Sequence, residues 1–304
     1  MTKAPLKDLL YRTGIAMRGT GYWHWRYYGW DYRARRENRE WQVRIDGRDY
    51  RLPTLDHWLE PGRTIHVLLS GPSAGAIEHR ERLLRQPSIT VNGSHRLIDD
   101  ADARADLYLV SDVGFVRRQW DSFRQGVDRA RAVAVDHRVL LEVTRRDPDF
   151  AERVRVYLFD NLTRPYGRSS HWWDLPAAEL PHDGRRCAFS TRPDLGFFPS
   201  CTVAYLALQI AAAQRPRRIV FFGLDLSGDR RFYAEHQPEN SMLLSDFDRF
   251  ILPDFQFASS VLRRMGIEVV NASPASALPD SVFARRTPES CLGGDVADTA
   301  PQSN

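Results

Sequence analysis

A doubly wound, mainly parallel α/β sheet is the fold class this sequence predicts, and three observations predict it. From residue 64 to residue 143, short apolar runs alternate with segments of helical or crossover character, the β/α rhythm that builds a parallel sheet. The runs TIHVLLSG, SITVN, LYLVSD and RIVFFGLD are apolar almost throughout, as strands buried on both faces are. Each run then closes on Gly, Ser, Asn or Asp. Ligands of open α/β sheets sit beyond the carboxyl ends of the strands, so four polar strand ends define one candidate pocket.

The elements follow in order. Residues 1–63 form a basic aromatic leader: seven of the eleven residues 22–32 are aromatic, RARR follows at 33–36, and EWQVRIDGRDYRLP (40–53) alternates around Asp46-Gly47. That dipeptide predicts a hairpin closed by a type I′ turn. The domain proper spans 64–284. It opens with a strand at 64–71, a helix over AIEHRERLLRQ (76–86), a strand at 88–92 and a crossover at 95–104. A third strand at 107–112, an amphipathic helix at 116–131 and a fourth strand over 133–143 complete its first half. Residues 144–195, rich in Arg, Pro, His and aromatics, read as an irregular lid-like insertion. An apolar buried helix (201–214), a strand (218–225), a helix broken near Pro253 (246–266) and a last strand (267–274) follow. The polar tail, 285–304, reads as disordered.

Composition narrows the function classes. No apolar run approaches the ~20 residues of a membrane span, and the N-terminus lacks a signal-peptide core, so a cytoplasmic protein is expected. The cysteines Cys187, Cys201 and Cys291 are too few and too scattered for a disulfide framework or a CxxC metal site, and core packing is the expected use of Cys201. The net charge of +4 concentrates in residues 1–64, with 13 Lys+Arg against 8 Asp+Glu. Trp and Tyr beside Arg fit an interfacial platform on anionic lipid; they fit equally well a leader packed on the main domain. Nucleic acid is not expected, because no basic stripe continues beyond the leader.

Four constellations could carry chemistry. SGPSAG (70–75) turns a strand toward a helical start, where Gly71 permits close backbone approach and Ser73 offers a hydroxyl; it is neither GxGxxG nor Walker A. Asn92, Ser111 and Asp112 end successive strands and suit ribose hydroxyls or a base edge, although each alone reads as a turn residue. Ser200 and Thr202 precede the buried helix as an N-cap, an anion contact, or both. GLDLSGDRRFYAEH (223–236) gathers Gly223, Asp225, Tyr233, Glu235 and His236 at one strand end. A Tyr hydroxyl there can stabilise a departing phosphate, while Glu or His can take a proton.

Taken as an ordered set, SGP (70–72), VNGS (91–94), SDV (111–113), GFFPSCT (196–202), GLDLSG (223–228), RFYAE (231–235) and ILPDF (251–255) resemble the lipopolysaccharide core-biosynthesis Kdo (3-deoxy-manno-octulosonic acid) transferases of the RfaZ/WaaZ type. A more distant similarity is to CMP-sialic-acid-dependent bacterial sialyltransferases, which share the Gly-Pro-Ser turn, the Asn after the second strand, and a Tyr eight residues after a strand-end Asp. The resemblance implies a GT-A-like/Rossmann-like domain and transfer of Kdo from CMP-Kdo to an inner-core sugar of lipopolysaccharide, with inversion. It implies no metal and no further cofactor, and peripheral contact with the inner face of the cytoplasmic membrane. It would place Gly71, Ser73, Asn92, Ser111 and Asp112 around CMP, Ser200 and Thr202 at the sugar carboxylate or phosphate, and Tyr233 at the leaving group. Glu235 is favoured over His236 as the base, and Ser227 stands where the sialyltransferases carry a second Tyr. A non-catalytic scaffold on the same fold, and a sialyltransferase proper, are the alternative readings.

Overall fold

The computed structural model describes Thr13, Tyr28 and residues 31–55, 58–167, 172–177, 180–228, 230–234 and 243–293. A small antiparallel sheet comes first: β1 (Tyr32–Glu37), β2 (Glu40–Ile45) and β3 (Arg48–Pro53), in that order. Ile45 pairs with Arg48 across a two-residue loop, and Asp46 and Gly47 both have positive φ (49° and 86°). This is the expected type I′ turn, extended by one strand more than a hairpin. Four of the leader's described rings are core. Tyr28, Tyr32, Trp41 and Tyr50 are buried with Val139, Leu140, Phe150 and Leu158 of the main domain. The interfacial reading therefore has no support at these four rings; Trp23, Trp25 and Trp30 lie outside the described residues.

The main sheet has eight strands, all parallel: β4 (Thr64–Leu68), β5 (Ser88–Val91), β6 (Leu107–Val110), β7 (Val133–Asp136), β8 (Val156–Phe159), β9 (Arg218–Phe222), β10 (Glu268–Asn271) and β11 (Ala284–Arg285). Their order is β11-β10-β9-β4-β5-β6-β7-β8. The chain thus lays strands outward from β4 in one direction, then returns to β9 and builds in the other. Between β4 and β9 lies the switch point of a doubly wound sheet. Every residue of β4, β5, β6 and β7 is buried, which explains their uninterrupted apolar character. Helix α5 (Val203–Ala213) covers one face with almost every side chain buried, and α7 (Leu252–Arg264) joins it there. The helices α1 (Val113–Arg118), α2 (Trp120–Asp128) and α3 (His137–Arg146) contribute to the core of the other face.

Several expectations need correction. Residues 76–86 form no α-helix; two 3-10 turns (Pro72–Ala76 and Arg80–Arg82) flank His79 in the left-handed region. Ile77 and Leu83 are the only buried apolar residues of this stretch, too little apolar surface to hold a helix on the sheet. The helix expected at 116–131 splits at Gln119, whose φ and ψ (−124°, 44°) are not helical. The strand expected at 133–143 ends at Asp136, because its carboxylate accepts hydrogen bonds from the N–H groups of Arg138 and Val139 (3.0 and 2.8 Å) and caps α3. Within the supposed lid, α4 (Phe150–Arg153) and β8 belong to the folded core, and Leu180 and Phe189 are fully buried. Helical backbone runs up to Pro253 without a gap, but it changes type there: a π-helical turn (Phe247–Ile251) following α6 (Leu243–Asp246) leads into α7, with Pro253, which has no N–H to donate, in its first turn. Finally, the domain runs past 284, through β11 and α8 (Pro288–Gly293) with Leu292 buried.

Candidate functional site

At the switch point the turns after β4 and β9 press together. The Leu69 N–H donates to the Phe222 carbonyl (2.8 Å) and the Gly71 N–H to the Gly223 carbonyl (3.1 Å). A Cβ at Gly71 would stand 2.1 Å from Asp225 Oδ2 and 2.4 Å from the Gly223 oxygen. Gly223 has φ +78°, and a Cβ there would meet the Leu69 oxygen at 2.7 Å. Both glycines are therefore required by the apposition of the two turns, before any ligand is considered.

A cleft of about 350 Å³ opens over this junction, within the ~300–1,000 Å³ usual for small-molecule sites. Its walls include Gly71, Asn92, Ser111, Asp112, Ser200, Thr202, Gly223 and Asp225. Four strand ends and one helix start thus converge as the sequence predicts. Three of the lining residues, Asn92, Ser200 and Leu226, hold non-glycine backbone in the left-handed region at φ 46°, 47° and 54°. Such strain costs of order 1–3 kcal/mol each and clusters where geometry serves function.

Asp225 is buried. Its Oδ2 accepts from the Ser73 N–H and hydroxyl (3.0 and 2.9 Å), and its Oδ1 has no hydrogen-bond partner among the described residues. A buried carboxylate oxygen left open at a cleft wall is a ready acceptor for a ligand hydroxyl. Ser73 itself does not line the cleft; it orients Asp225. Asn92 Oδ1 is likewise buried without a partner among the described residues. Asp112 caps α1 by accepting from the Gly114 N–H (2.7 Å), with Arg118 at 3.7 Å. Thr202 caps α5, accepting from the Ala204 N–H at 3.3 Å. These two therefore hold helix starts at the rim as well as lining it. A ligand donor that meets the open Oδ1 would lose a buried hydrogen bond in Asn92→Ala, so binding at this cleft is expected to weaken by roughly 1–3 kcal/mol. Calorimetry with a panel of nucleotides checks this, and a ligand whose affinity is unchanged does not bind here.

Tyr233 is not among the residues that line the cleft; it packs on the turn that follows β5. Its hydroxyl lies against Gly93, where a Cβ would approach it to 1.9 Å. The Arg96 guanidinium covers its ring at 4.3 Å, and Phe232 meets it edge-on at 5.1 Å. Glu235 and His236 lie outside the described residues.

Three residues to which the sequence assigns no role are brought in by the structure. Arg230 and Arg231 line the cleft and suit phosphate recognition; the tract was visible, but not which of its charges face inward. Asp254, on α7, accepts a hydrogen bond from the Ser200 hydroxyl through Oδ2 and bonds Arg186 through Oδ1 at 3.3 Å. Burial lifts its carboxyl above the ordinary range. ILPDF carried the residue in plain view, but nothing in the sequence ties it to Ser200. Cys201, assigned to the core, is exposed and lines the cleft, while Cys187 is the buried one. Although the residue is exposed overall, partial desolvation of its sulfur at the cleft wall, and then the nearby Asp246 and Asp254 carboxylates, push its thiol up to about 11, which favours the protonated form at neutral pH.

A second cavity of about 280 Å³ adjoins the cleft and shares Ser111, Pro199 and Ser200 with it. Arg138, Asn161 and Arg164 line its far side together with Asp136, whose carboxyl burial raises to about 6.

No family model matches the chain. It is similar to the "Probable 3-deoxy-manno-octulosonic acid transferase" of Escherichia coli K12, at 28% identity over 230 residues covering 71% of this chain and 80% of that protein. The identically named protein of Salmonella typhimurium LT2 is 28% identical over 205 residues, covering 63% and 75%. Among solved structures, a MAf glycosyltransferase from Magnetospirillum magneticum AMB-1 superposes with a TM-score of 0.48 at 15% identity, over 84% of this chain and 37% of that one. The sialyltransferase CstII from Campylobacter jejuni, solved with the substrate analogue cytidine-5′-monophosphate, gives 0.42 at 9% identity, over 75% and 86%.

Proposed function

We propose that this protein is an inverting glycosyltransferase that moves Kdo from CMP-Kdo to an inner-core sugar of lipopolysaccharide. The observation that carries the reading is the convergence of Asn92, Ser111, Ser200, Asp225, Arg230 and Arg231 on one cleft at the sheet's switch point, in a chain similar over 71% of its length to a protein named a Kdo transferase. Asn92 and the open Oδ1 of Asp225 offer acceptors to the nucleoside hydroxyls. Arg230 and Arg231 offer positive charge to the phosphate, and Thr202 brings the start of α5 toward the same space. CMP is already a good leaving group, so the protein's tasks are to orient the acceptor hydroxyl, remove its proton, and stabilise the phosphate as charge develops.

Tyr233 fits the last of these tasks, because its hydroxyl reaches the turn that presents Asn92. Tyr233→Phe is expected to lower kcat far more than donor affinity, since a leaving-group contact strengthens in the transition state. Equal losses in kcat and in donor binding would contradict that role. The reading as a whole is tested by thermal shift with CMP, CDP, UDP, ADP, S-adenosylmethionine and NAD. Stabilisation by CMP alone supports it. Stabilisation by a different nucleotide, with none by CMP, overturns it.

A further inference from the structure

Ser200 occupies the one stretch of wall common to the two cavities: with Ser111 and Pro199 it borders both the nucleotide cleft and its neighbour. If the donor fills the first cavity, a second sugar reaching it through the other meets it at this wall, where the new glycosidic bond must form. Ser200 is held there at φ 47°, a backbone region uncommon for a serine. Its hydroxyl is donated to Oδ2 of Asp254, and Asp254 is 8% exposed, enclosed at the base of α7. A hydroxyl that faces substrate on one side and a buried carboxylate on the other can hand a proton across.

We infer that Ser200 receives the proton of the acceptor hydroxyl while passing its own to Asp254. The inference rests on the transferase reading above. In the step, the acceptor oxygen forms a bond to the anomeric carbon of the donor sugar. The bond from that carbon to the phosphate oxygen breaks, and CMP leaves with the electron pair. The acceptor's proton moves to Ser200 Oγ as the Ser200 proton moves to Asp254 Oδ2, so the enzyme ends with a neutral carboxyl and an intact serine.

The surroundings of Asp254 set the expected pH dependence. Arg186, Cys187 and Asp183 face it from the loop before α5, Ser200 and Tyr205 from the entry and first turn of that helix, and Cys201 and Asp246 lie close by. Burial raises its pKa, and the Ser200 hydroxyl and then Arg186 pull it part of the way back. The proton-accepting carboxylate exists only above that raised pKa. Transfer should therefore fall as pH drops through it, at a higher pH than an ordinary carboxylate would give.

The test uses the full chain, CMP-Kdo, and lipopolysaccharide truncated in its inner core. Ser200→Ala and Asp254→Asn should each lower kcat by about 10²–10⁴-fold, the usual loss on removing a general base, a far larger loss than any in calorimetric CMP affinity. Asp254→Asn should also erase the acid limb of the kcat–pH profile, and Asp254→Glu should restore part of the rate. A merely structural Asp254 would leave that limb in place. Should Asp254→Asn fail to fold, Ser200→Ala decides alone, because it leaves the carboxylate its Arg186 partner. An active wild type whose Ser200→Ala variant keeps its kcat overturns the relay only. A wild type that neither binds CMP nor releases it from CMP-Kdo overturns the transferase reading and the relay with it.

Discussion

Gly71→Ala is expected to destroy the cleft at the sheet's switch point without any conflict in the local backbone conformation. At φ −62° and ψ 159° alanine is at ease, so the effect is purely one of space. The added methyl would lie 2.1 Å from Asp225 Oδ2 and 2.4 Å from the Gly223 oxygen. Neither neighbour can yield freely. Asp225 is fixed by two hydrogen bonds from Ser73, and Gly223 belongs to the turn leaving β9. Either the β4 and β9 turns part, breaking the Gly71–Gly223 hydrogen bond, or Asp225 is driven from its seat. Overpacking of this kind costs roughly 1–3 kcal/mol of stability, and the melting temperature should fall by roughly 2–4 °C per kcal/mol in a chain of this size. The larger loss is in binding: Asp225 and the cleft floor move together, so CMP affinity should drop below detection in calorimetry while far-ultraviolet circular dichroism stays native. Wild-type CMP affinity in the variant would show that the cleft is not where the nucleotide sits.

Removing residues 1–53 should prevent folding. The small sheet, with Tyr28 just ahead of it, supplies Tyr28, Tyr32, Trp41, Val43, Ile45, Tyr50 and Leu52 to a shared core, and burying each such side chain is worth ~1.5–3 kcal/mol. Their joint loss, roughly 10–21 kcal/mol, is as large as the whole ~5–15 kcal/mol by which a domain is normally stable. Specific contacts add to this. The Tyr32 hydroxyl bonds His137 Nδ1 at 2.5 Å, the Tyr50 hydroxyl donates to the Pro148 carbonyl at 2.9 Å, and Trp41 meets the His137 ring edge-on at 4.6 Å. The truncated chain should appear insoluble or lack a cooperative thermal transition. A soluble, cooperatively melting truncation that still binds CMP would make the sheet an appendage and return weight to the membrane-platform reading of the leader.

What could be read from the sequence divides along physical lines. Buried parallel strands announce themselves, because both faces must be apolar, and their polar ends mark the cleft. Gly71, Asn92, Ser111, Asp112, Gly223 and Asp225 were all legible on that ground, as was the Asp46-Gly47 turn, which needs positive φ at both positions. Residues 76–86 misled because charged residues spaced with two leucines imitate an amphipathic helix, whereas the link between β4 and β5 is made of 3-10 turns. Strand β8 escaped notice because VYLF is short and set between Arg155 and Asp160. The aromatic leader was ambiguous for a deeper reason: a ring packed under a helix and a ring lying on lipid have the same composition, and only tertiary structure says what covers them. Asp254 was beyond reach altogether, since it meets Ser200 from 54 positions away on a different element.

The most direct test of the account is incubation of the purified chain with CMP-Kdo and inner-core-truncated lipopolysaccharide, followed by mass spectrometry of the lipopolysaccharide and assay of free CMP. The account predicts a mass increment of one Kdo residue, with stoichiometric CMP release that depends on the acceptor. No increment and no CMP release, from protein that is folded by its thermal transition, would contradict it.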